Sequence, residues 1–138
     1  MLPPVKIFKG FWKPSDCLYN SNWLFIFGDN DVKRGLGGQA VIRRCRNAMG
    51  IPTKKYPNYN PDSYYTDDEF TENCQKIDAA LDRIIETVET TQPKYEYIVL
   101  PEDGFGTGLA RLKTHAPRTL EYIDREVLRR LGRPTNLA

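Results

Sequence analysis

Residues 23–44, WLFIFGDNDVKRGLGGQAVIRR, decide how this chain is read. Trp23 to Phe27 is an unbroken apolar run, the composition of a strand buried on both faces. Gly28 marks its expected end. Four glycines then fall within the eleven residues from Gly28 to Gly38, before GQAVIRRCRNAM opens with helical character. Glycine weakens regular structure, so this density marks a turn where bare backbone is wanted. In open α/β sheets a glycine-rich turn between strand and helix lets N–H groups approach phosphate oxygens, and the helix N-terminus adds partial positive charge.

Working outward, VKIFKGF at Val5–Phe11 alternates apolar and polar residues and reads as a strand, whereas KPSDCLYNSN reads as turns. AMGIPT, residues 48–53, is a short buried strand ending near Pro52. KKYPNYNPDSYYT, residues 54–66, holds two prolines and four tyrosines and reads as a surface loop beside the strand ends. A helix is expected from Thr66 as N-cap, with Glu69 at the capping-box position, to about Val88. Phe70, Cys74, Ile77, Leu81, Ile84, Ile85 and Val88 share its inner face. YEYIVLP is a strand ending at Pro101, followed by a second glycine-rich segment, EDGFGTGLARL. A last helix is expected from Thr114 to Leu131, ended by Gly132 and Pro134. The alternation predicts an α/β fold with a mixed, largely parallel sheet flanked by helices.

The 138 residues suit a single domain, 1–138, and 40% hydrophobic with 28% charged residues is ordinary for a globular chain. A net charge of +2 gives no electrostatic case for nucleic acid. No apolar run reaches membrane-span length, and Met1–Lys6 is too short and Pro-rich for a signal sequence, so no membrane partner is expected. Cys17, Cys45 and Cys74 are odd in number and lack CxxC spacing; they read as reduced thiols of a cytoplasmic protein, without zinc.

Both glycine-rich segments follow expected strands and precede expected helices, an arrangement suited to a diphosphate. The competing reading is that Gly35, Gly37, Gly38, Gly104, Gly106 and Gly108 only make tight turns. Neither segment is a Walker A loop, and neither is a clean Rossmann fingerprint.

NDVKRGLGGQA, Asn30–Ala40, resembles the signature of macro domains: an Asn at a strand end, a glycine-rich turn, then a small residue on the next helix. Counting from Asn30, Gly35, Gly37, Gly38 and Ala40 fall on the family's glycines and helix start. VLPEDGFGTGLARL, Val99–Leu112, is similar to the family's second loop. The resemblance implies a three-layer α/β/α domain that binds ADP-ribose or a related NAD-derived nucleotide. It further implies hydrolysis of a bond at the distal ribose, on ADP-ribosylated macromolecules or ADP-ribose phosphate; no motif in the sequence calls for a metal or a cofactor. The alternative within the same resemblance is a non-catalytic reader or sponge for such a nucleotide. The family's adenine-holding Asp, in an earlier Gly-Asp-Ile type segment, has no counterpart; the only Gly-Asp pair is Gly28-Asp29.

On this reading Asn30 orients the distal ribose and Asp29 is a candidate base for water or a ribose hydroxyl. Their competing role is Asx-type capping of the loop. Asp103 is the third candidate catalytic residue, set against a solvated turn carboxylate. Ligand contacts are expected from Gly35, Gly37, Gly38, Gln39 and Ala40 in the first loop and Gly104, Phe105, Gly106, Thr107 and Gly108 in the second. Phe105 is expected to keep an open face for stacking, with packing onto the neighbouring helix the equal alternative. Lys54 or Lys55 is expected to meet a phosphate, or else to be solvated. His115, the only histidine, reads as structural.

Overall fold

The apolar run at Trp23 forms an interior strand of the sheet. The computed structural model describes residues 1–137. Five strands, β1 (Val5–Phe8), β2 (Trp23–Asn30), β3 (Ala48–Lys54), β4 (Tyr97–Pro101) and β5 (Thr135–Asn136), lie in the order β3-β2-β4-β1-β5. Every pairing is parallel. The expectation of a mixed, largely parallel sheet therefore resolves to an all-parallel one, flanked by helices on both faces. Alternate residues of β2 supply two cores: Leu24 and Ile26 pack with helices α2 (Phe70–Thr90) and α4 (Pro117–Leu131), whereas Phe25 and Phe27 pack with α1 (Pro14–Tyr19) and a 3-10 turn at Gly38–Ile42. The period of two along a strand buried on both sides accounts for the unbroken apolar run.

Three elements differ from the sequence expectation. Gly28 does not end β2, which runs on to Asn30 because β3 continues to pair with it, Gly28 opposite Ile51 and Asp29 opposite Pro52. The helix expected from Gly38 stops after five 3-10 residues. Arg43 turns back to the preceding loop there, and Asn47 Nδ2 donates to the carbonyls of Cys17, Asn20 and Trp23, drawing the chain into β3. The turn-rich KPSDCLYNSN contains α1, with Pro14 at its first position and the Asp16 carboxylate accepting the Lys13 N–H at 2.8 Å.

Smaller differences have equally local causes. Thr66 makes no side-chain cap bond; a 3-10 turn at Asp67–Glu69 leads into α2, and the Glu69 carboxylate accepts from Lys55 at 2.5 Å. Asp67 instead caps α4, accepting the N–H groups of Arg118 (2.9 Å) and Thr119 (3.1 Å). The final helix begins at Pro117, after a separate turn of helix α3 at Leu112–His115. Beyond Gly132 the chain returns to pair with β1 as β5, a strand too short to announce itself in sequence. No described helix is long and apolar enough to cross a membrane.

Candidate functional site at the strand ends

The connections after β2 and β4 leave the sheet toward opposite faces, one to the α1 side and the other to the α4 side. Neighbouring strands that part in this way open a crevice beyond their carboxyl ends. A cleft of about 620 Å³ occupies that place, within the range of small-molecule sites. Its walls are the first glycine loop after β2, the second after β4, the Gly10–Trp12 segment after β1, and Thr53 and Lys54 at the end of β3.

The structure brings most of the expected site residues to this cleft. Asp29, Asn30, Gly35, Gly37, Gly38, Gln39, Ala40, Lys54, Asp103, Gly106, Thr107 and Gly108 all line it. Gly104 and Phe105 do not. Phe105 is buried in the core with Leu112 and Ile123, so it offers no stacking face and the packing alternative holds. Gly104 adopts φ +79° and its carbonyl accepts the Gln39 amide at 2.9 Å. Lys55 is drawn away to Glu69 and takes no part.

Side-chain partners divide the lining into scaffold and free groups. Gln39 joins the two loops: its Oε1 accepts the Gly28 N–H at 2.7 Å while its Nε2 donates to Gly104. That donor and that acceptor fix the amide's orientation and leave little of it for a ribose. Asp29 pairs with Arg43 at 2.5 Å and also accepts the Asn30 N–H at 2.7 Å. Asn30 Nδ2 donates to the Arg34 carbonyl at 2.7 Å, and its Oδ1 accepts the Arg34 N–H at 3.4 Å. Both residues thus perform the loop-capping role that competed with catalysis. The Asp103 carboxylate, exposed at the rim, engages no other side chain among the described residues.

Arg43 was not singled out by sequence. Its guanidinium bonds the carbonyls of Gly35 and Arg34, both at 3.1 Å, as well as Asp29. It therefore holds the first loop in shape. The N–H groups of Gly35 to Gln39 bond to no acceptor among the described residues, and neither do those of Gly106 to Leu109. Gly38 adopts φ +58° and Gly106 φ +73°. Those are left-handed conformations that favour glycine. The two positions differ in one respect. A Cβ on Gly106 would collide with the Leu112 side chain, so this glycine is needed for packing as well.

Lys54 is the unusual charge. Only 6% exposed, it lines the cleft with Nζ 4.9 Å from the ring centroids of both Tyr59 and Tyr64. No carboxylate pairs with it among the described residues. Burial, reinforced by the Arg111 guanidinium, pushes its ammonium below the usual lysine range. The tyrosine-rich stretch is thus divided. Pro57 and Tyr59 border the cleft, while Tyr64 and Tyr65 are buried against the body of the domain, so only part of the stretch is the surface loop expected. His115 stacks on Tyr64 at 4.2 Å and lies outside the cleft, in keeping with a structural role.

Gly10, Phe11, Trp12, Leu36, Leu109 and Ala110 also line the cleft without having been expected there. Phe11 is 98% exposed, and its place after β1 was the only signal that could have marked it. No group of three or more His, Cys, Asp or Glu side chains is arranged to hold a metal ion among the described residues.

These features define a parallel α/β domain with a strand-end cleft walled by two glycine-rich loops. The chain belongs to DUF7831, a family of unknown function whose profile matches residues 7–126 and so takes in every wall of the cleft. No curated protein and no solved structure matches it.

Proposed function

We propose that the cleft binds a diphosphate-bearing nucleotide of the ADP-ribose class, the two glycine loops cradling the diphosphate and Lys54 supplying a counter-charge. The observation that carries this is the pairing of unbonded N–H groups on both loops with Lys54, a largely buried lysine whose ammonium faces the same cleft without a carboxylate partner. An uncompensated buried charge is costly to a fold, and an anionic ligand is the partner that removes the cost. The macro-domain resemblance of Asn30–Ala40 and Val99–Leu112 supports the nucleotide class. Residence in the cytoplasm belongs to the same reading.

A second reading, hydrolysis at the distal ribose, is favoured by the unengaged Asp103 carboxylate at the rim. Asp29 and Asn30 are committed to the loop, so in this reading they position the ligand and Asp103 is the candidate base. A thermal-shift series with ADP-ribose, ADP, NAD and adenosine tests binding, because a ligand that prefers the folded state raises Tm by mass action. ADP-ribose and ADP are expected to raise it and adenosine to leave it unchanged. Equal shifts with adenosine would refute the diphosphate reading. Release of ADP-ribose from an ADP-ribosylated peptide, lost in Asp103→Asn, would establish the hydrolase; binding without release would leave a reader.

A further inference from the structure

We propose that Cys17 and Cys45 form a reversible disulfide, making this pair a redox-modifiable site that takes a hydroperoxide or a small disulfide as its oxidant. The proposal does not depend on what the cleft binds. Cys17 lies on α1, fully buried, and packs in the same apolar cluster as Cys45. The Cys45 thiol donates to the carbonyl of Pro14 at 3.8 Å. Pro14 is one helical turn before Cys17 on the same face of α1. Two residues after Cys45, the Asn47 amide donates to the Cys17 carbonyl at 3.1 Å. The segment 45–47 therefore runs directly against α1 at Cys17. Burial and the adjacent Cys45 sulfur push the Cys17 thiol up to about 12, so Cys17 is not the first thiol to react and gives up its proton only in the resolving step.

The two sulfurs differ in access. Cys17 is 0% exposed, whereas Cys45 is half-buried and reaches the surface. Attack therefore begins at Cys45. Its sulfur takes an oxygen from the hydroperoxide: an S–O bond forms, the O–O bond breaks, and water or an alcohol leaves. Cys17 Sγ then attacks the Cys45 sulfenic acid. The S–S bond forms, the S–O bond breaks, and the departing hydroxide carries off the Cys17 proton as water. Two thiols are oxidised and one peroxide is reduced. With a small disulfide, Cys45 first forms the mixed disulfide, and Cys17 expels the second small thiol.

The bridge fastens two walls of the cleft to each other. The Gly10–Trp12 wall leads directly into α1, and Arg43, two residues before Cys45, holds the first glycine loop. Cys74, on α2 and outside that cluster, has no cysteine beside it and serves as an internal control.

The test treats the folded protein with hydrogen peroxide, and separately with oxidised glutathione, then measures intact mass and a non-reducing peptide map. Wild type and Cys74→Ser are expected to lose two hydrogens and yield one crosslinked peptide joining residues 17 and 45, reversed by dithiothreitol. Cys45→Ser is expected to abolish it. Accumulation of Cys45 sulfinic acid or a persistent glutathione adduct with Cys17 free would overturn the proposal. So would a crosslink through Cys74, or no reaction at all.

Discussion

Replacing Lys54 by Met should make the protein more stable and abolish ligand binding. Methionine preserves most of the aliphatic volume and removes the charge. Lys54 is a largely buried residue whose ammonium meets only the cleft and no carboxylate, which costs it part of its hydration, while each tyrosine face at 4.9 Å returns about 0.5–2 kcal/mol. Burial prevails, since the ammonium is pushed below the usual lysine range. Lys54→Met is therefore expected to gain stability at neutral pH, on the order of 1 kcal/mol. The sign with pH is fixed. A lysine whose pKa is lower folded than unfolded binds fewer protons when folded, so wild-type stability rises with pH through that window. The advantage of Lys54→Met is therefore full at neutral pH and vanishes as the pH reaches the ordinary lysine value of about 10.4. Urea denaturation of both proteins at several pH values measures it. A variant less stable than wild type at neutral pH, with unchanged ligand affinity, would refute the reasoning, because Lys54 would then be a structural residue.

Arg43→Met should cost about 2–3 kcal/mol, because it breaks a mostly buried ion pair to Asp29 and two bonds to loop carbonyls; a double-mutant cycle with Asp29→Asn reads the coupling, and coupling near zero would contradict the geometry. Gly106→Ala should destabilise by about 2–4 kcal/mol through its contact with Leu112 and its left-handed backbone. Gly108→Ala, where an added Cβ meets nothing within 4 Å, should stay within about 0.5 kcal/mol. Asp67→Ala should cost about 1–2 kcal/mol by uncapping α4, with hydrogen exchange speeding first at the amides of Arg118 and Thr119.

The sheet was legible because strands buried on both faces leave continuous apolar runs, as at Trp23–Phe27. The helix α2 was legible through its 3.6-residue spacing. The elements that were misread answer to long-range partners that local pattern does not carry. The helix expected after Gly38 lost to Arg43 and Asn47, whose acceptors lie on other segments. β5 is two residues long and exists only through its pairing with β1. α1 was readable in hindsight from Pro14 at its first position and Asp16 in its first turn. The site's location came through well, because glycine-rich turns after strands point to the carboxyl edge of a parallel sheet. The roles within it came through less well. Gln39, Asp29, Asn30 and Phe105 look available in sequence, and only their hydrogen bonds and burial show them occupied.

Backbone amide spectra recorded during a titration with ADP-ribose test the central claim most directly, since the proposed contacts are themselves N–H groups. Saturable shifts are expected at Gly35 to Gln39 and Gly106 to Leu109, together with slowed solvent exchange, and these should disappear in Lys54→Met. The same titration with adenosine should leave those amides in place. An ADP-ribose titration that moves none of them, or that moves amides only outside the cleft, would contradict the account.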